Sequence, residues 1–311
     1  MSDELRTRPE DPRAREAEDV AEATTGGTVP GQATLWGDVW YQLRRNPLFI
    51  GSALLIVVFT LMAIAPQLFT SADPRACNLA HSLERPSAEH WFGYDLQGCD
   101  YYAKVVYGAR ASITIGISVT VVALAIALVL GSLAGYYGGL LDTVIARIAD
   151  IWFAIPTILG GIVILSVLGS RGIPQVALVL IVLAWPTMTR LMRSSVMAAK
   201  ESDYVAATRA LGSSDFRIMW RHILPNAIAP VIVYATIFVG ITISAEASLS
   251  FLGVGLQLPA ISWGLMISDA QTRILQAPHL LFFPALFLSL TVFSFILLGD
   301  ALRDALDPRL R

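Results

Sequence analysis

Glu246 is the only charged residue in an apolar run of membrane-spanning length over 227–248. A carboxylate in such a setting is costly to desolvate and is by default a candidate for a polar pathway. Because it stands near one end of the run, a structural role, meeting water or a capping backbone group, stays open beside the pathway reading. Cys77 and Cys99 are the only cysteines. In an oxidising compartment such a pair reads as a disulfide. Two free thiols, or a metal pair with His81 or His90, are the alternatives, although no CxxC or HxxxH spacing supports a metal. The remaining histidines are scattered. No GxxxxGK[ST] phosphate loop and no Ser/His/Asp order occurs, so the chain is expected neither to hydrolyse ATP nor to be an enzyme by itself.

The most patterned polar stretch is Ser202 to Asn226, lying between two apolar runs. It reads as two short helices. Ser202 is a candidate N-cap, and Gly212 is a C′ residue free to take positive φ. Between them Tyr204, Ala207, Ala210 and Leu211 share one face, small enough for another surface to approach the backbone. A second helix is expected from Ser213 or Ser214, with Phe216, Met219, Trp220 and Ile223 as its apolar stripe and Pro225 as its stop. Docking of a partner protein is the functional reading; an amphipathic pair resting on lipid is the plain alternative.

These residues need a scaffold, and composition says what kind. Apolar residues make up 55% of the chain, charged residues 15%, and mean hydropathy is +0.62. A soluble domain carries about 25% charge, so the class is an all-α integral membrane protein. Apolar runs of the required ~20 residues fall at 47–69, 110–135, 148–169, 173–192, 227–248 and 280–300, giving six transmembrane helices. Arg44, Arg45, Arg190, Arg193, Lys200, Arg209, Arg217, Arg221 and Arg303 flank one side, which the positive-inside rule makes cytoplasmic together with both termini. Pro156 and Pro186 lie inside spans and read as tolerated kinks or as hinges. Gly131, Gly135, Gly138 and Gly139 read as close-packing positions.

The expected organisation is a disordered cytoplasmic tail (1–34), an interfacial segment and first span (35–69), and an extracytoplasmic loop (70–109). A core (110–300) follows, containing the strip 202–226 and an extracytoplasmic segment 249–279 with a short interfacial or re-entrant helix. A cytoplasmic tail (301–311) closes the chain. Trp36, Trp40 and Tyr41 beside Arg44 and Arg45 suit a helix at the headgroup level.

The strip resembles the coupling loop of permease subunits of ATP-binding-cassette importers, whose pattern runs Glu-Ala-Ala, three residues, Gly, nine residues, Ile, any residue, Leu-Pro. Ala207, Gly212, Leu224 and Pro225 match it; Ala206 replaces the Glu, Thr208 the second Ala and His222 the Ile. Tyr107-Gly108-Ala109-Arg110, Glu246 to Gly253, Ser262-Trp263-Gly264 and Leu298 to Arg309 are similar to segments of dipeptide and oligopeptide permeases, C-type subunit. The likeness covers roughly residues 40–309.

This resemblance implies a type I importer permease fold in a bacterial inner membrane. It implies half of a translocation pathway for di- or oligopeptides, shared with a sister permease subunit. Two ATP-binding subunits or domains would hold ATP and Mg, and an extracytoplasmic substrate-binding protein would deliver the solute. This chain would bind no cofactor, metal or nucleic acid, and its partners would be these proteins and membrane lipid. Tyr204, Ala206, Ala207, Ala210, Leu211 and Gly212 would dock the ATPase, supported by Phe216, Trp220, His222, Leu224 and Pro225. The same architecture importing a nickel complex or a glycan is the alternative, followed by a channel or secondary transporter.

Overall fold

The computed structural model describes residues 35–306. The tail expected over 1–34 and the end of the tail over 307–311 lie outside the described residues. By its contacts the chain divides into a leading unit, Met1–Gln42, and a large body, Leu43–Arg311. Helix α1, Leu35–Leu43, falls almost wholly in the first and exposes Trp40 and Tyr41.

The body is helical, with no strand among the described residues. Helix α2, Pro47–Ile64, starts where Asn46 Oδ1 accepts the backbone N–H groups of Leu48 and Phe49 at 2.9 and 3.3 Å, with Pro47 needing no partner. Helix α3, Tyr101–Tyr137, is capped by Asp100, whose Oδ1 accepts from Ala103 N–H at 2.8 Å, and passes through a π-helical stretch at Ala127–Gly131. Then follow α4, Gly139–Phe153, α5, Thr157–Val167, and α6, Ile173–Lys200. After the strip come α9, Ala229–Phe251, the short α10, Trp263–Ala270, and α11, His279–Leu306. Five of these helices, α2, α3, α6, α9 and α11, are long and apolar enough to cross a membrane.

The sixth span differs from the straight helix expected over 148–169. Helices α4 and α5 meet at a bend of 83°. Pro156 lacks an N–H and disfavours helical backbone in the residue before it, so the helix breaks at 154–156 and Pro156 sits in extended backbone before α5. With eleven residues, α5 is about 16 Å long, roughly half a bilayer core.

The glycines divide into two kinds. A Cβ on Gly131 would lie 2.7 Å from the carbonyl oxygen of Thr189, and one on Gly135 2.7 Å from that of Arg193, so α3 packs directly on the backbone of α6. Gly138 and Gly139 do not pack at all. Their φ angles of +66° and +59° make the reversal from α3 into α4.

Beside a smaller buried apolar cluster of Val239, Ile243 and Phe295, two larger ones lie among the described residues. One joins α3, α6 and α9 to the inner face of the strip; the other surrounds Trp263 at the start of α3, with Phe59, Tyr101, Met266 and Leu280.

Candidate functional site

The strip begins two residues beyond α6. Helix α7, Asp203–Ala210, follows Ser202, which has N-cap backbone angles but makes no side-chain cap hydrogen bond. At the other end Gly212 takes φ +75°. Gly212 N–H donates to the Arg209 carbonyl at 3.0 Å and Ser213 N–H to the Thr208 carbonyl at 3.4 Å, the paired bonds of a Schellman close. The turn therefore needs left-handed backbone at 212, with open space around it.

The second helix, α8, covers 215–227, and its middle departs from the expected period. Over Ile218–Ile223 it widens to a π-helix, so Leu224 N–H reaches back to the Met219 carbonyl. Residues five apart then share a face. Ile218 and Ile223 are both fully buried, Met219 is 6% exposed, and Phe216 and Trp220 are turned outward at 68% and 50%. The stripe expected at helical spacing is thus split: Met219 and Ile223 anchor the helix, while Phe216 and Trp220 form surface. Pro225 does not stop the helix. It enters as the second residue of the turn Leu224–Ala227, just after the widened stretch.

Apolar packing and one hydrogen bond hold this pair of helices to the body, and bonds on either side brace the joint. Val205, Ile218 and Ile223 are fully buried among Met192 and Val196 of α6 and Tyr136 of α3. The Tyr136 hydroxyl donates to Asp215 Oδ1 at 2.6 Å, and Lys200 Nζ donates to the Tyr136 carbonyl at 2.7 Å. Asn226 Nδ2 donates to the His222 carbonyl at 2.8 Å, and Tyr204 Oη reaches the same carbonyl at 3.4 Å, tying α7 to α8. Against this anchored side stands the opposite one. Tyr204, Ala206, Ala207, Ala210, Leu211 and Gly212 are all exposed, Leu211 to 86%. His222 and Leu224 are half-buried between the two sides, and Pro225 is exposed.

Glu246 lies elsewhere, near the far end of α9, fully buried. Ser112 of α3 donates to its Oε2 at 3.0 Å; Ser250 and Ser262 donate to its Oε1 at 2.8 and 3.1 Å. Ser262 also caps α10 by accepting Leu265 N–H at 3.2 Å, and Ser250 accepts Leu256 N–H at 3.1 Å. The carboxyl is the centre of a hydroxyl cage joining α3, α9 and the segment 252–262. This arrangement is that of a structural bracket. Beside it the Trp263 indole N–H donates to the Val105 carbonyl at 2.9 Å.

In the loop before α3 a disulfide joins Cys77 to Cys99. Asp95 Oδ1 accepts Cys99 N–H at 2.9 Å, and its other oxygen pairs with Lys104. His90 uses its ring nitrogens on Asp100 at 2.8 Å and on the Tyr94 hydroxyl at 2.7 Å. Among the described residues no group of three or more His, Cys, Asp or Glu side chains is placed to hold a metal. Pro186 lies buried inside α6.

Sequence reasoning gave no contact role to Val205, Ile218, Tyr136, Asp215, Ser112 or Ser262. For Ile218 and Ile223 a signal existed, the spacing of five; the others are chosen by long-range contact.

The family model described as "Binding-protein-dependent transport system inner membrane component" matches residues 127–311, and "N-terminal TM domain of oligopeptide transport permease C" matches 34–86. The chain is 41% identical to the dipeptide transport system permease protein DppC of Alkalihalophilus pseudofirmus, covering 89% of this chain and 90% of the relative. It is 39% identical to the oligopeptide transport system permease protein OppC of Bacillus subtilis, over 89% and 91%. It is also 39% identical to the glutathione transport system permease protein GsiD of Escherichia coli O157:H7, over 89% and 92%. Among solved structures, an inward-facing MetNI methionine ABC transporter chain shares the fold, with TM-score 0.54 and 20% identity over 65% of this chain and 96% of that one. With six apolar segments, one of them bent, and a surface-displayed helix pair between α6 and α9, the chain belongs to the family of inner-membrane permease components of binding-protein-dependent ABC importers.

Proposed function

We propose that this permease forms half of the pathway of an ATP-driven importer for dipeptides or oligopeptides, with 202–226 as the segment that docks an ATPase. The observation that carries the docking assignment is the two-sidedness of that segment: one side buried in the spans, the other a bare face of Tyr204, Ala207, Ala210 and Leu211. A motor that closes on such a face moves α3, α6 and α9 with it. ATP binding can do work here only by favouring one of two arrangements of the spans, through contacts that differ between them.

The chain pairs with a sister permease, and two ATP-binding subunits or domains hold ATP and Mg. An extracytoplasmic binding protein selects the solute. Both termini and the strip face the cytoplasm, following the arginine clusters around 190–221 and at Arg303. The peptide assignment rests on the named relatives at 39–41% identity. Glutathione, itself a small peptide, is the second reading, supported by the GsiD relative.

The test is to purify the tagged chain gently from its native membrane, identify its companions, and reconstitute the assembly in liposomes with labelled dipeptide and labelled glutathione. ATP-dependent uptake of the dipeptide by a complex containing ATPase subunits supports the proposal. A chain that emerges alone and conducts solute without ATP sinks it.

A further inference from the structure

Pro186 creates a vacancy in α6, and a residue from another helix fills it. Having no N–H, Pro186 leaves the carbonyl of Val182, four residues earlier, without its helical donor. The indole Nε1–H of Trp152, at the end of α4, donates to that carbonyl at 2.5 Å. The ring of Trp152 also meets Trp185 edge-on, with centroids 6.1 Å apart.

Other polar links run between the same two helices. Asp150 binds Arg190 at 2.7 Å, Arg190 lies 4.1 Å over the ring of Phe153, and Asp142 takes Arg193 through both carboxylate oxygens. Between these links lies a cavity of about 300 Å³ lined by Ile145, Ala149, Asp150, Thr189, Arg190 and Arg193. Side-chain rungs across a gap, rather than close packing, therefore hold α4 to α6.

Trp152 stands where this matters for motion. Helix α6 runs within two residues of α7, and α4 ends at the 83° break only one residue after Trp152. We propose that Trp152 is a positioning residue for transport: by supplying the donor that Pro186 removes, it locks α4 to α6 as one arm. Displacement of the docking segment then reaches the break at 154–156 instead of being lost in slippage between the helices. The inference rests on the importer reading, and on the peptide assignment only for the choice of solute.

A double-mutant cycle on the whole reconstituted complex tests it. Trp152→Phe keeps an aromatic ring and deletes the donor; Pro186→Ala returns an N–H to Val182. Trp152→Phe is expected to lower dipeptide uptake per ATP hydrolysed about fivefold, the scale of one lost hydrogen bond. In the Pro186→Ala background the same change is expected to have less than a twofold effect. Wild-type coupling in Trp152→Phe, or an equal loss in both backgrounds, overturns the proposal, the latter because the ring's packing would then be what counts. If Trp152→Phe blocks assembly, the cycle is read on the yield of complex: recovery by Pro186→Ala supports the proposal and no recovery overturns it.

A second readout does not depend on the solute. Spin labels at the exposed positions Ile148 and Met197 are expected to keep one narrow distance with and without ATP, and to broaden in Trp152→Phe. A wild-type distance that changes with ATP overturns the single arm. Absence of dipeptide uptake with a constant distance overturns only the peptide assignment.

Discussion

The strip 202–226 and the Glu246 cage are both polar interruptions of an apolar chain, and they are satisfied in opposite ways. Around Glu246 three hydroxyls converge from α3, α9 and the segment before α10, and the carboxyl is wholly buried. In the strip, the Tyr136–Asp215 bond and the buried Val205, Ile218 and Ile223 anchor only one side, while Leu211, Phe216 and Trp220 stand exposed on the other. A buried polar group must find its partners inside the fold, because no water is there to replace them. An exposed apolar face carries no such requirement and is informative for that reason: large ones mark contact surfaces. The cage is closed on its own partners; the strip leaves a face that the proposed ATPase would cover.

If that contrast is right, damage to the cage reads out as stability and damage to the strip as coupling. Glu246→Ala is expected to give the largest effect, roughly 3 kcal/mol or more, since several buried hydroxyls lose their acceptor at once. Thermal unfolding of the purified complex measures it. Glu246→Gln is expected to cost less, because hydroxyls can turn to accept from the amide as well as donate to its carbonyl. Were Glu246 a pathway residue instead, Glu246→Ala would leave the unfolding temperature in place and change uptake alone.

Gly212→Val tests the other region. Left-handed backbone at a β-branched residue costs roughly 1–2 kcal/mol, and the neighbouring space is open, so the strain falls on the Schellman turn alone. Uptake is expected to fall about tenfold or more, on the scale of that strain, with the thermal transition moved less than by Glu246→Ala. Normal uptake by this variant would falsify the docking assignment. Tyr136→Phe is milder. It removes the bond to Asp215 but leaves the ring packed, at about 1 kcal/mol. A few-fold loss of uptake per ATP is expected from the looser seat of α8, checked in the same liposome assay.

These regions were unequally legible in the sequence. Five of the spans are carried by hydrophobic length, which is a local property, and Gly212 followed from the helix it terminates. The bend between α4 and α5 is hidden from hydropathy, which averages across such a break, so Pro156 reads only as a kink or hinge within a span. A 3.6-residue period puts Phe216 and Trp220 on one apolar stripe with Met219 and Ile223, but the helix is π over 218–223, and Ile218 with Ile223 carries the period that applies. Ser112 and Ser262 lie 150 residues apart in the chain and meet only through Glu246. No local pattern announces such a meeting, since a serine in an apolar helix ordinarily bonds its own backbone, as Thr291 and Ser294 do here.

Ser202 and Ser262 sharpen the comparison at its small end. Both are serines at N-cap positions with extended backbone. Ser262 accepts Leu265 N–H and donates to Glu246, so it serves a helix terminus and the cage together. Ser202 makes no side-chain cap bond. Ser262→Ala is therefore expected to cost about 1–2 kcal/mol in unfolding of the complex, at the upper end of cap substitutions. Ser202→Ala should change neither unfolding nor uptake measurably. A cost at Ser202 equal to that at Ser262 would mean that the strip's helix closes its own cap in the assembled transporter. The strip would then be a tighter, more self-contained element than its exposed face implies.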